Sequence, residues 1–429
     1  MLPFAAAAAV CSLLAVAADE APVRLVRCGH LMAVPGREPL DNVTVVVKGD
    51  RIDAVVPGFD TRIDGATEVD WRNDWVMPGF IDCHVHLSMF FDQTVRPRYT
   101  TESSELVAIK ATQYAKVTLE AGFTTVRDLG ATDTNAIFAL RDAINKGYVV
   151  GPRILTAGHA IAVTGGHGDS TLGYRPGLFP EQTPADGIAD GPDECMKAVR
   201  AQVKLGADCI KLTATGGVLS TSSAGLAKHF SDAELKAIVD TAHAMGRRVA
   251  AHAHGLDGIN AAIVAGVDSI EHGTFLDDSS VKLMKERGTY HVPTLLAAQT
   301  VFDNAAKPGY YLPMVAAKAR LVGPKAREMF RRSHEAGVKI AFGTDTGVSE
   351  HGLNAREFGL MVDEGMKPME AIRSATVVAS ELLGIDKEVG TIEAGKAADL
   401  VAVAGNPLED IRRLEHVAGV MKAGAVIRP

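Results

Sequence analysis

The sequence has no run of lysines or arginines and a formal net charge of −8. It offers no basic stripe for a polyanion to grip, which excludes nucleic acid as the expected partner. After the first 18 residues no apolar stretch is long enough to cross a bilayer, so no membrane span is expected. No C-x-x-C occurs, and Cys11, Cys28, Cys83, Cys195 and Cys209 lie far apart. That scatter predicts buried free thiols rather than a disulfide framework. No G-x-G-x-x-G follows the first candidate strand of the central region, which argues against a doubly wound dinucleotide-binding sheet. There is no internal repeat of fixed period, and the Ala-rich start is the one low-complexity segment.

That start, MLPFAAAAAVCSLLAVAA, is nearly all apolar and ends in Ala15-Val16-Ala17 before the charged Asp19 and Glu20. It reads as a signal peptide over 1–18 with a weak n-region, because no Lys or Arg precedes the apolar run. Export to the periplasm or medium is the expectation. Residues 19–75 and 389–429 are both rich in short alternating strands with Gly-Asp or Pro-Gly turns. They are expected to build one small β-sandwich from the two chain ends. Between them, 76–388 alternates strand and helix, the pattern of βαβ units. The candidate strands are 76–87, 123–129, 153–161, 208–214, 247–254, 267–273, 289–295 and 338–345. Eight such units predict an α/β fold, a (β/α)8 TIM barrel, with its active site at the C-terminal strand ends. Ser231 and Glu234 stand at capping-box spacing before a helix that should close at Gly246.

The chemistry collects at those strand ends. His84 and His86 share a strand face, which invites a divalent metal, although two ligands alone do not complete a site. Further ends supply Lys211, His252, His254, His272 and Asp345. A lysine inside the apolar run Cys209-Ile210-Lys211-Leu212 needs a partner or a depressed pKa. One metal site explains these residues better than separate coincidences would. Connections 163–191 and 215–230 are long enough to act as lids or binding loops. They bring His167 into question as a pocket residue, together with Ser88, Tyr290 and His291. His351 and Arg356 could reach the rim, whereas Arg127 and Arg153 suit structural ion pairs.

The motifs PGFIDCHVHL, AGFTTVRD, IKLTATGGV, VAAHAHG, DSIEHGT, FGTDTG and GTIEAGKAADLVA resemble those of the amidohydrolase superfamily. The resemblance is to the branch of Xaa-Pro dipeptidases, imidazolonepropionase-like proteins and ochratoxin-cleaving amidohydrolases, and it covers the chain from about residue 22 onward. It implies a (β/α)8 barrel with a β-sandwich side domain and two divalent metal ions, most often zinc. His84, His86 and Asp345 would hold the first ion and His252 and His272 the second. Lys211, carboxylated on its amine by CO2, would bridge them. His254 is assigned to the substrate pocket, with an exchange of roles between His252 and His254 left open. A hydroxide between the metals would attack an amide carbonyl, with Asp345 carrying its proton to the leaving amine. The implied reaction releases a C-terminal amino acid from a small-molecule dipeptide or N-acyl amino acid, ochratoxin A included. Hydrolysis of a cyclic amide or a lactone is the alternative, and homo-oligomers are common among such barrels.

Overall fold

The structure, a computed structural model, describes residues 21–131, 133–221 and 225–429, so the expected leader lies outside the described residues. The chain opens with β1 (Val23–Leu31), β2 (Leu40–Lys48), β3 (Arg51–Pro57) and β4 (Thr67–Pro78). Seven short strands then alternate with helices. They are β5 (Phe80–Val85), β6 (Phe123–Asp128), β7 (Arg153–Thr156), β8 (Ile210–Thr213), β9 (Val249–Ala253), β10 (Ser269–His272) and β11 (Tyr290–Val292). The chain ends with β12 (Leu400–Ala404), β13 (Val417–Lys422) and β14 (Ala425–Arg428).

Both chain ends meet in one hydrogen-bonded sheet of seven strands, ordered β14-β13-β12-β4-β1-β2-β3. β4 is its pivot, parallel to β1 and antiparallel to β12. Alternate residues such as Val26, Cys28, Val45, Val47, Leu400 and Ala402 point to one face and form a core with Trp71 and Met421. The expected sandwich is therefore a single sheet curled over its own apolar face. Its β3 edge returns to the 395–398 segment, where Ile52 N–H donates to the Lys396 carbonyl at 2.9 Å and Gly395 N–H to the Ile52 carbonyl at 2.8 Å. A twisted sheet this wide, with one oily face, buries that face by curling. The described cysteines, Cys28, Cys83, Cys195 and Cys209, are buried and free, as scattered spacing predicts.

The central strands form two parallel sheets, β5-β6-β7 and β8-β9-β10-β11. Single parallel bridges extend them, Ile161 to Leu212, His291 to Ile340 and Val85 to Thr346. Seven of the eight candidate strands thus overlap assigned strands, and the run 338–345 carries isolated bridges instead of a ladder. Side chains do part of the joining there. Buried Asp82 on β5 accepts from the N–H groups of His84 (3.0 Å) and Thr344 (3.1 Å), the Thr344 hydroxyl (2.7 Å) and Asn354 Nδ2 (2.8 Å). The first candidate strand also splits. β4 runs to Pro78 in the curled sheet and β5 starts at Phe80, with Gly79 between them so close to Thr124 that a Cβ would lie 2.2 Å from its hydroxyl. The helix Asp232–Ala244 has the predicted capping box between Ser231 and Glu234.

Candidate active site

A cavity of about 440 Å³ is lined by His84, His86, His167, Lys211, His252, His254, His272 and Asp345. The sequence positions that suggested a metal therefore come together. Four of these imidazoles are each turned by a partner behind them. His84 donates from Nδ1 to Glu271 Oε2 at 2.8 Å, and His86 from Nδ1 to the Gly130 carbonyl at 2.8 Å. His272 and His254 pair through Nδ1 with Thr294 Oγ1 and Thr274 Oγ1, both at 2.7 Å. These second partners orient the rings and leave Nε2 of each free of them. His252 differs, its Nε2 lying 3.3 Å from the Gly216 carbonyl, which makes Nδ1 its lone-pair nitrogen.

The chemistry of this donor set fits a divalent metal. Asp345 Oδ1 is buried without a hydrogen bond among the described residues, yet it lies 3.1 Å from His86 Nε2 and 3.6 Å from His84 Nε2. Ligand atoms of His84, His272 and Asp345 all fall within 4.8 Å of one another. Lone pairs converging in a dry site are costly unless a cation occupies the middle, and nitrogen with carboxylate oxygen is a usual ligand set for such an ion. His272, Thr294 and Asp345 also hold left-handed backbone conformations, φ 69°, 50° and 57°. Strained non-glycine residues of this kind gather at functional sites.

Burial sets the protonation of the site. It is the main cause that brings His84 down to about 4 and His254 and His167 to about 3, and it takes His252 and His272 well below the ordinary range. Neutral imidazoles are what metal ligation requires. His86 goes the other way: burial lowers it, but the Asp345 carboxylate more than compensates. Lys211, fully enclosed, is brought down to about 8 mainly by burial.

Other expected site residues fall elsewhere. His167 does line the cavity, its ring 4.3 Å from that of His252. Tyr290 does not; it packs on the helical side with Ala379 and Leu382 and beneath Lys339. His291 spends both nitrogens, on Ser333 Oγ at 2.8 Å and the His272 carbonyl at 3.0 Å, so it braces the strained His272 backbone and does not face the cavity. Ser88 faces a smaller neighbouring cavity of about 250 Å³, because the chain turns away after Leu87. His351 donates to or accepts nothing in the cavity; it contacts the Met89 carbonyl at 2.9 Å and stacks on Tyr114. Arg356 points toward Glu415 at 3.8 Å. Arg127 and Arg153 form ion pairs, with Glu271 at 3.0 Å and Asp399 at 2.9 Å.

Sequence reasoning missed the carboxylates that support the ligands. Glu271 holds both His84 and Arg127, and Asp82 ties the His84 strand to the Asp345 segment. The available signal was an acidic side chain inside a buried strand next to a histidine motif.

Residues 75–427 match the amidohydrolase family. The chain is 34% identical to ochratoxinase from Aspergillus niger over 96% of this chain and 88% of that protein. A solved Xaa-Pro dipeptidase with bound methionine in its active site is 43% identical, covers 95% of this chain and 100% of its own, and superposes with a TM-score of 0.90. A prolidase solved with N-methylphosphonate-L-proline is 34% identical, covers 95% of this chain and 99% of its own, and gives a TM-score of 0.85.

Proposed function

The chain belongs to the amidohydrolase family, and from that premise we propose that it is a two-metal hydrolase releasing the C-terminal amino acid of dipeptides or N-acyl amino acids. Ochratoxin A, an amide of phenylalanine, falls within that class. The observation that carries the reading is the unpartnered, buried Asp345 Oδ1 facing the Nε2 atoms of His84 and His86. The similarity to ochratoxinase and to dipeptidases supports the substrate class. In this reading β5 to β11 and the run 338–346 are the staves of a closed (β/α)8 barrel.

His84, His86 and Asp345 would hold one divalent ion, zinc by family habit, and His252 and His272 the other. By the family pattern His252 would take that place, with His254, held through Nδ1 by Thr274, in the substrate pocket. Lys211 would stand between them as a carbamate, its Nζ forming a bond to CO2 carbon with loss of one proton. An amine brought down to about 8 by burial supplies the neutral nitrogen that this addition needs. When bound, the metals would lower the pKa of a water toward neutrality and polarise the scissile carbonyl.

The remaining work belongs to the chain. Asp345, held below the ordinary carboxylate range because its neighbours His84, His86 and the uncarboxylated Lys211 outweigh its burial, starts as a base. It takes the proton of the attacking water at the other oxygen, Oδ2, and delivers it to the leaving nitrogen. Glu271 and Gly130 keep His84 and His86 in one orientation throughout. The test is a kcat/KM screen of dipeptides and N-acyl amino acids varied at the C-terminal residue, with ochratoxin A and cyclic amides included. Turnover of linear substrates with release of a free amino acid is expected; turnover confined to cyclic amides would refute the assignment.

A further inference from the structure

Two demands meet on the hydroxyl of Thr294. The residue stands at the N-cap of the helix Leu295–Ala305, yet its side chain makes no capping bond there. A threonine at that position ordinarily turns its hydroxyl onto the free N–H groups of the first helical turn. Here the hydroxyl oxygen is instead 2.7 Å from His272 Nδ1. The Thr294 backbone is left-handed, at φ 50° and ψ 47°. A β-branched residue rarely adopts that conformation, which persists only where the surroundings impose it.

The helix end that Thr294 neglects is served from elsewhere. Glu357, at the start of the helix Arg356–Asp363, reaches it with both oxygens. Oε1 accepts from the Leu295 N–H at 2.8 Å and Oε2 from the Leu296 N–H at 2.6 Å. Glu357 is fully buried, and Arg327, whose charge reaches it, is paired with Glu364 at 2.8 Å. A carboxyl in such a place is costly unless hydrogen-bonded, and the positive end of a helix favours it. Three residues earlier, Asn354 donates from Nδ2 to Asp82 at 2.8 Å and to the Thr346 hydroxyl at 3.1 Å. The segment 354–357 thus contacts the supports of His84 and Asp345 through Asn354 and those of His272 through Glu357.

If Glu357 were absent, two buried N–H groups would lack an acceptor, which is expensive. The Thr294 hydroxyl is placed by its position in the chain to accept from the Leu296 N–H. Turning there, it would leave His272 Nδ1 without its partner. We propose that Glu357 is a positioning residue for His272: by capping the helix Leu295–Ala305 from outside, it releases the Thr294 hydroxyl to hold the imidazole. This deepens the two-metal reading and rests on it for what His272 binds. Glu357 does not line the cavity and takes no proton in the reaction.

A double-mutant cycle on the full-length protein tests the linkage. Competition with a chromophoric chelator gives the affinity for zinc, and nitrogen NMR of histidine-labelled protein follows His272 Nδ1 with or without metal. Glu357→Ala should weaken zinc binding at least about 10-fold, the usual size for losing the partner behind a ligand, and should shift the Nδ1 resonance. Thr294→Val should do the same directly, whereas Thr294→Ser, which keeps the hydroxyl, should behave as the unmodified protein. In the Thr294→Val background, Glu357→Ala should weaken zinc binding by no more than about 3-fold further, because the contact it protects is already gone. Should Glu357→Ala not fold, Glu357→Gln, which keeps the volume and one oxygen, carries the comparison. A zinc loss of the same factor in both backgrounds would overturn the proposal, since a merely structural cap gives that result. So would an Nδ1 resonance that the Glu357 variants leave in place. If the resonance moves as expected while the unmodified protein takes up no zinc, the linkage stands and the metal reading falls.

Discussion

Replacing Glu271 by Gln tests the support beneath the metal ligands. The change keeps volume and shape but removes the charge that faces Arg127 at 3.0 Å, with both side chains at 2% exposure or less. Taking one partner from a buried ion pair costs about 3–5 kcal/mol, because the other charge stays buried and uncompensated. A second route gives a similar size. Burial raises the Glu271 carboxyl, but Arg127 and His84 outweigh it and hold the group at about 2, against an ordinary 4.5. That difference corresponds to about 3 kcal/mol of stability, present above pH 4.5 and lost as pH falls toward 2. Urea unfolding at pH 7, followed by circular dichroism, should show Glu271→Gln weaker by this amount. Removing the stranded charge as well, in Glu271→Gln with Arg127→Met, should recover part of the loss. The amide keeps one oxygen. With that turned to Arg127 and Ser269, its NH2 faces the His84 Nδ1–H, so the ring loses its orienting acceptor and metal affinity should drop about 10–100-fold. A Glu271→Gln protein that unfolds within about 1 kcal/mol of the parent, with unchanged metal affinity, would refute the reasoning.

Three further outcomes are expected. Lys211→Ala should lose bound metal and activity together, measured by elemental analysis and amide hydrolysis, and a fully active variant would remove its bridging role. Glu357 is buried, accepts from the Leu295 and Leu296 N–H groups at 2.8 and 2.6 Å, and is pushed up to about 8, chiefly by burial. A carboxyl raised in the folded state contributes most below pH 4.5 and progressively less toward pH 8, so Glu357→Gln should flatten the fall in Tm over that window; an unchanged slope would count against it. N-terminal sequencing of protein from its native host should begin near Ala18, and an intact Met1 would end the export proposal.

The residues that line the cavity were legible because polar residues inside apolar strands are costly, as with His84, His86, Lys211, His252, His254 and His272. Their neighbours were harder to place. On a strand as short as β11, one residue decides the face, and Tyr290 and His291 took the helical layer and the His272 backbone as partners. Ser88 lies past the end of β5, where strand alternation no longer sets direction. The run 338–345 has strand-like composition, but its joining to β5 is shared with the Asp82 carboxylate, which no periodicity reveals. Arg96 Nη2 reaches the Leu172 carbonyl at 2.6 Å across a separation of 76 residues. Only the folded chain shows that encounter.

The pivot position of β4 has a consequence for how the protein is made. Its partner β12 is translated only after the whole central region, so β1 to β4 must wait through that synthesis with one edge of β4 unpaired. An open edge on an apolar sheet is a template for wrong pairing. The nascent chain is therefore exposed to wrong pairing until β12 emerges, and loss of residues 400–428 would disable a sheet that begins at Val23. A central α/β region with every candidate site residue in place would still depend on β12 to β14 to complete the sheet around its first strands.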